Sequence, residues 1–444
     1  MDNLAEVRLW GEQVGALAYD DASQFSTFEY APSWLKKGIE IAPIHMPLAQ
    51  TKYQFQGLNP DTFRGLPAVF ADMLPDDFGN AVINAWLARN GRSADSFTAV
   101  ERLLYTGMRG MGALTFMPAV ERDDTANSEI AIDSLVMMAQ QVLDERVQMR
   151  QVMQAELFDN ANQQTAMKAI LQVGTSAGGA RAKAVVAVNA DRTQIRSGQV
   201  DVPEGFEHYL LKLDGVEEHK TNNETFGDPK GFGRMEYAYY LMAKEAGIDM
   251  SPCELLLEGG RAHFMTQRFD RVGNRKRHIA SLCAMDHADY KQPGQYSYEQ
   301  LFTVARQLKL PRPDAIEIFR RMVFNVVARN HDDHTKNMSF MLDDADSDWR
   351  LSPAFDVAYS YKKDSPWVNS HQMSLNGKRE DFVASDLQQV ASLIGNFGRE
   401  SKQIVEQVLE VVNAWPTYAA QAGVADALED EVRRHLRVFE RLRF

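Results

Sequence analysis

Asp332 and Asn337 stand five positions apart, and Asp356 follows after a stretch long enough for one short hairpin. That order constrains the chain more than anything else in it. A carboxylate, an amide oxygen and a second carboxylate are the groups needed to orient a hydroxyl and to hold divalent metal against a triphosphate. The intervening residues suit such a meeting. Met338–Leu342 reads as a strand, 343–348 as a polar turn and Trp349–Leu351 as the returning strand, so that Asn337 and Asp356 would come together at the open end of the hairpin.

Asp-x-x-x-x-Asn, a hairpin and then a metal-binding Asp is the order used by protein kinases, and Asp333 misses that register by one. Two other readings stand beside it. Residues 330–337 would also suit a solvated polar loop or a helix cap. His331, Asp332, Asp333 and His334 could instead ligate a hydrolytic metal, which would make the chain a metal-dependent phosphohydrolase.

The chain has 444 residues, 45% hydrophobic and 25% charged, enough for two or three cores and too apolar for disorder. A formal charge of −13 argues against a protein that coats nucleic acid by itself. Cys253 and Cys283 are too few for a disulfide framework or a thiolate zinc site. The first residues lack a basic segment followed by an apolar run, and no stretch approaches about 18 apolar residues, so a cytoplasmic location without membrane contact is expected.

From the start of the chain, residues 5–31 alternate in short apolar pieces and predict a small antiparallel sheet. Helical spacing follows over Leu66–Asn90 and Ser96–Tyr105, then a bend at Gly107, Gly110 and Gly112 and an apolar run over Ala113–Met117. A polar stretch at 121–128 suggests a boundary. We expect a β-rich unit over 1–125, a lobe carrying a glycine loop and hinge over 126–270, and a mainly helical lobe over 271–444.

A helix is expected over about Ile132–Leu157. After it, Val173–Asn189 holds Gly174, Gly178 and Gly179 with Thr175 and Ser176, and runs into a β-rich segment. A Walker A loop would need Lys and Ser or Thr directly after its last Gly and then a helix, so that class is excluded. A glycine loop feeding a strand can cover ATP in a kinase-type lobe, and it can equally be a flexible turn. Glu207–Asp214 alternates as a strand with Lys212 among apolar residues, either exposed or reaching a cleft. Gly233–Gly247 is an amphipathic helix with Glu236 near its start, where a carboxylate is also favoured by the helix dipole. Strands at Glu254–Glu258 and Ala262–Thr266 end in Gln267–Arg271. The basic run Arg271–His278 is expected to be a solvated hairpin. Pro313–Asn330 has Ile316, Phe319, Met322, Val323 and Val326 on one face and delivers the loop at 332. Helices near Ala384–Asn396, Ser401–Trp415 and Leu428–Arg441 complete that lobe.

Taken in order, these motifs resemble the HipA family of bacterial toxin serine/threonine kinases over essentially the whole chain. Ser-x-x-Gly-x-x-x-Lys is similar to Ser176, Gly179 and Lys183; Ile-Lys-Leu to Leu211-Lys212-Leu213; Glu-Arg-Phe-Asp-Arg to 267–271. The catalytic Asp-x-His-x-Lys-Asn corresponds to 332–337, and Leu-x-Pro-x-Tyr-Asp-Ile to 351–357. Gln267 departs from an acidic hinge residue. Asp333 departs from a small one, and would either raise the pKa of Asp332 or assist metal binding.

The resemblance implies an α+β, bilobal protein-kinase-like fold with a small β-rich N-terminal subdomain and a mainly helical C-terminal lobe. It implies ATP and Mg²⁺ as cofactors, with Asp332 catalytic and Asn337 and Asp356 on the metal. Ser176, Gly178, Gly179, Lys183, Lys212, Gln267, Phe269, His334 and Asn337 would bind ATP, and Ser176 would be the site of a silencing autophosphorylation. The partners it implies are a HipB-like helix-turn-helix antitoxin, operator DNA reached only through that complex, and a translation-related protein substrate of the aminoacyl-tRNA synthetase kind. A non-catalytic kinase fold used only as a co-repressor subunit is the remaining alternative.

Overall fold

The computed structural model describes residues 3–75, 79–80, 83–84, 87, 91–93, 96–118, 132–133, 135–137, 139–140, 182–218, 226–228, 230–438 and 442. The expected helix over 132–157 lies mostly outside them, as do Ser176, Gly178 and Gly179.

Alternating apolar residues in β1 (Leu4–Leu9), β2 (Glu12–Asp20) and β3 (Phe25–Tyr30) bury one face, as a half-covered antiparallel sheet requires. β4 (Lys52–Tyr53) and β5 (Leu114–Met117) flank them in the order β4-β3-β2-β1-β5, which places the run after the glycine bend on the open edge of β1. Val7, Leu17, Phe28, Phe70 and Phe116 form this unit's core. α1 (Ala99–Thr106) starts at a capping box: Thr98 Oγ1 accepts from the Glu101 amide (3.1 Å) and Glu101 Oε2 accepts from the Thr98 amide (2.9 Å).

The second sheet is antiparallel, in the order β11-β12-β8-β6-β7. Its strands are β6 (Lys183–Asn189), β7 (Ile195–Ser197), β8 (Phe206–Lys212), β11 (Cys253–Glu258) and β12 (Arg261–Gln267), with a separate small hairpin of β9 (Val216–Glu218) and β10 (Phe226–Asp228). α2 (Phe232–Glu245) follows that hairpin and lies against β12. A Cβ at Gly233 would come 2.0 Å from the Ala262 carbonyl oxygen, so only glycine lets the helix start there.

β13 (Arg271–Val272) and β14 (Arg275–Lys276) are the basic hairpin, but it is not merely solvated. Trp10 Nε1 donates to the Lys276 carbonyl (2.8 Å), and Arg271 reaches the Gly110 and Gly112 carbonyls (3.1 and 3.3 Å). The charge run is the seam on which the N-terminal unit docks. Gly112 is left-handed (φ +70°), and a Cβ there would meet Ile279 Cγ1 at 2.8 Å, so the bend requires a glycine both for its conformation and for its close approach.

β15 (His278–Ser281), β16 (Ser339–Leu342) and β17 (Arg350–Leu351) form a three-stranded antiparallel sheet; the β16–β17 hairpin was legible, whereas its pairing with β15 was not. An irregular stretch over 352–383 follows β17, and the main helices of this lobe are α3 (Tyr298–Gln307), α4 (Arg312–Val327), α5 (Ala384–Ala391), α6 (Gly398–Asn413), α7 (Trp415–Ala422) and α8 (Asp426–His435). Phe319, Met322, Val323 and Val326 of α4 pack with Met235, Tyr239 and Met242 of α2 and with Trp415 in one core. Cys253 joins this core and Cys283 that of the N-terminal unit; both are buried free thiols. Among the described residues no helix is long and apolar enough to cross a membrane.

Candidate active site

Lys212 ends β8, so its stem leaves the sheet core and its ammonium faces the gap between the second sheet and the helical lobe. It is 5% exposed and Glu236, on the first turn and a half of α2, is 1% exposed. Its Nζ donates to Glu236 Oε1 and to Asp356 Oδ1, the latter at 2.5 Å. Three residues distant in sequence therefore meet at one ammonium.

Asp356 is brought there by a segment fastened at several points. The Ser352 amide donates to the Ser339 carbonyl (2.9 Å), the Ala354 amide to the Asp249 carbonyl (2.7 Å), and Arg321 Nη2 to the Ser352 carbonyl (2.9 Å). Asp356 itself is left-handed (φ +55°), a conformation that costs most side chains about 1–2 kcal/mol and that Asp tolerates better than most. The surrounding contacts hold it there.

The pair opens onto a cleft lined by Lys183, Lys212, Gln267, Phe269, Asn337 and Asp356, among others. Lys183 pairs with Lys212 across β6 and β8 and is 5% exposed, so two lysines share one wall. Gln267 and Phe269 lie at the end of β12, as a hinge would. The Phe269 carbonyl already accepts from Arg277 Nη1 (2.9 Å), and its ring faces Phe355 at 5.6 Å between centroids. Asp72 and Met111 of the N-terminal unit also line the cleft, a contribution that nothing in the sequence announced. Asp72 accepts from the Ser281 amide and hydroxyl (2.9 and 2.8 Å), and its Oδ1 lies 3.9 Å from Lys336 Nζ.

The loop after α4 begins at Arg329, also left-handed (φ +56°), which stops the helix and turns the chain toward the cleft. Asn337 Nδ2 donates to the Asp332 carbonyl (2.9 Å), so Oδ1 is the atom a cation would meet. Asp332 has a 42% exposed side chain, with His334 Nε2 at 3.7 Å from its Oδ1. Neither Asp332 nor His334 is among the residues lining the cleft; His334 packs beside Tyr290 at 5.4 Å instead.

Asp333 turns away from the solvent-facing side of the loop. Its side chain is turned inward and 1% exposed, and accepts from the Tyr298 hydroxyl (2.7 Å), the Gln372 amide (2.8 Å) and His371 Nδ1 (2.8 Å). Burial pushes its pKa up to about 7, against the hydrogen bonds from Tyr298 and Gln372 that favour the carboxylate. The hydrolytic-metal reading fails on His331. That ring is fully buried with Nε2 facing the Arg437 guanidinium (3.1 Å), where no cation could join it. Among the described residues no cluster of three or more His, Cys, Asp or Glu is arranged to hold a metal ion.

The hinge motif has a further, structural use. Asp270 is wholly buried and accepts from Arg268 Nε (2.9 Å) and Nη2 (2.7 Å), Arg271 Nη1 (2.6 Å) and the Gly112 amide (2.7 Å). Burial alone would raise its carboxyl, but the two guanidiniums hold it well below the usual carboxylate range. The motif thus locks the N-terminal unit to the hinge.

Comparison with known proteins agrees with this architecture. A family model described as the HipA-like C-terminal domain matches residues 175–415, and one described as the HipA N-terminal domain matches residues 5–117. The "Putative kinase Y4mE" of Sinorhizobium fredii is 25% identical over 208 residues, 44% of this chain and 41% of that protein, so the match spans about two-fifths of the relative's length. A chain of the Shewanella oneidensis MR-1 toxin-antitoxin complex of HipA, HipB and operator DNA superposes with a TM-score of 0.64 at 16% identity, covering 97% of this chain and 94% of that one. At that identity the likeness is one of fold.

Proposed function

The chain belongs to the HipA family, and from that premise we propose that it is an ATP- and Mg²⁺-dependent serine/threonine protein kinase that phosphorylates itself and a translation-related protein. One observation carries the reading: a single ammonium, Lys212, is shared by Glu236 and Asp356 at the wall of a cleft between the second sheet and the helical lobe. Lys212 and Lys183 bind the phosphates, and Gln267 and Phe269 receive the base. Asp332 orients the acceptor hydroxyl and takes its proton.

Asn337 and Asp356 would hold Mg²⁺. Two protein oxygens suit a cation that keeps several waters and takes phosphate oxygens for the rest of its shell. When bound, the cation neutralises charge developing on the transferred phosphoryl group.

The partners extend the proposal. The Shewanella fold relative was solved with HipB and operator DNA, and we assign this chain a HipB-like antitoxin, with DNA reached through that complex. The formal charge of −13 supports an indirect contact. Autophosphorylation at Ser176 would add roughly two negative charges where ATP phosphates must lie, and so silence the enzyme.

Transfer of labelled γ-phosphate from ATP to the chain itself and to lysate proteins tests the reading. Transfer that disappears in Asp332→Asn supports it. No transfer by the wild-type chain, with or without Mg²⁺, would remove it and leave the co-repressor alternative.

A further inference from the structure

Beyond the cleft, a densely connected polar group in the helical lobe is Arg437, two residues past the end of α8 and 1% exposed. Nη1 donates to His371 Nε2 (2.8 Å) and the Val326 carbonyl (2.9 Å), and Nη2 to His331 Nε2 (3.1 Å) and the Glu380 carboxylate. Its backbone amide donates to the Val327 carbonyl (2.9 Å). A guanidinium only donates, so each Nε2 must accept, and each imidazole carries its proton on Nδ1.

Both protons have receivers. His371 Nδ1 donates to Asp333 Oδ2 (2.8 Å), directly behind Asp332, and His331 Nδ1 donates to the Val368 carbonyl (3.0 Å). The loop of residues 329–333 and the segment 360–372 after Asp356 are further stitched by the His331 amide to the Ser360 carbonyl and the Gln372 amide to the His331 carbonyl, each 3.2 Å. One side chain near the end of the chain therefore fixes the tautomers of two histidines, one on each segment flanking Asp332.

We infer that Arg437 is a positioning residue for the phosphotransfer step, holding the Asp332 loop against the segment that follows Asp356. The inference rests on the kinase reading for its catalytic consequence and on geometry alone for the holding itself. Its electrostatic consequence is specific. Besides Arg437, the groups facing the imidazoles are Arg329, Glu380 and Tyr361 around His331 and Asp333, Arg379 and Arg329 around His371, and the two rings lie 4.3 Å apart. Burial and the surrounding guanidiniums keep both rings neutral. Without Arg437 both rings lose one of the cations that disfavour their charged form, so each should protonate more readily, although burial still opposes it.

Arg437→Gln and Arg437→Lys test this by kinetics and by hydrogen exchange. In Arg437→Gln we expect kcat for phosphate transfer to fall by about ten- to a hundred-fold with KM for Mg-ATP changed by less than about two-fold. The rate should fall more steeply toward acid pH than in the wild type. Arg437→Lys keeps the charge but not the fork; it should lose less and show a smaller acid dependence. Amide exchange should quicken in 329–333 and 360–372 and stay unchanged in β6 and β8. A kcat within about two-fold of wild type, a KM that rises in step with the loss, or exchange that quickens uniformly through the lobe would each overturn the inference. Should the wild-type chain transfer no phosphate, the kinase reading fails, and the exchange data alone still decide whether Arg437 holds the two segments.

Discussion

Replacing Lys212 with Met keeps most of the apolar stem and removes the ammonium that Glu236 and Asp356 share. Glu236 is 1% exposed, while the Asp356 side chain is 24% exposed. Almost all of the penalty should fall on the Glu236 side, because Asp356 can turn toward water. Breaking a buried ion pair from one side costs about 3–5 kcal/mol, and with one carboxylate able to escape we take about 3. At about 2.1 cal/mol/K per residue, a chain of 444 residues unfolds with an entropy of roughly 0.9 kcal/mol/K, so Tm should drop by about 3 °C. The double variant Lys212→Met/Glu236→Leu removes both buried charges and should return to within about 1 °C of wild type, since replacing a whole buried pair by apolar groups is often neutral. Scanning calorimetry without nucleotide reads both. In saturating Mg-ATP, at about 100 Kd, the wild type should gain about 2.7 kcal/mol, and neither variant should gain as much. A single variant as stable as wild type, or a double variant less stable than the single, would refute the view that Lys212 compensates buried charge.

Asp332→Asn should lower phosphate transfer by about 10²–10⁴-fold while leaving Mg-ATP affinity unchanged, measured by transfer assay and titration calorimetry. Asp356→Ala should abolish transfer and also weaken Mg-ATP binding by at least about ten-fold, separating a cation ligand from a hydroxyl-orienting group. Asp333 has a folded pKa raised to about 7 from 3.8. Its protonated form favours the fold, and that stability is full below about pH 4 and lost as pH rises through about 7. Asp333→Asn should therefore flatten the fall in Tm across that window, and an unchanged slope would count against the assignment. Mass spectrometry after incubation with Mg-ATP should find phosphate on Ser176, and its absence would remove the autophosphorylation.

How much of this was readable depended on whether a residue sat on a periodic element. Lys212 on an alternating strand, Glu236 on an amphipathic helix and Asp356 after a hairpin were legible because local pattern fixes which way each points. Asp333 was not. Adjacent positions in an irregular loop have no set direction, so its charge read as belonging to the site, while the fold turns it inward to Tyr298 and His371. The basic run at 271–278 misled for another reason. A charge run is normally solvated, but the partner that buries Arg271 is Gly110, 161 residues away in sequence. Arg437 gave no signal at all, being one arginine among several in the sequence at the end of α8.

The site also shows why Lys212 is a sensitive joint. α2 packs through Met235, Tyr239 and Met242 into the core of the helical lobe, yet its first turn is pressed against β12 at Gly233. Glu236 thus sits where helical lobe and sheet meet, and Asp356 belongs to the helical lobe outright. Lys212 comes from the sheet. Its ammonium is the point at which the sheet is tied to two carboxylates carried by other elements, and the three side chains together bear one net negative charge. Any shift of the sheet over the lobe must stretch these contacts, so substitutions that loosen the seam, such as Gly233→Ala, should impair nucleotide binding without touching the cleft, whereas substitutions on the far face of the helical lobe should not.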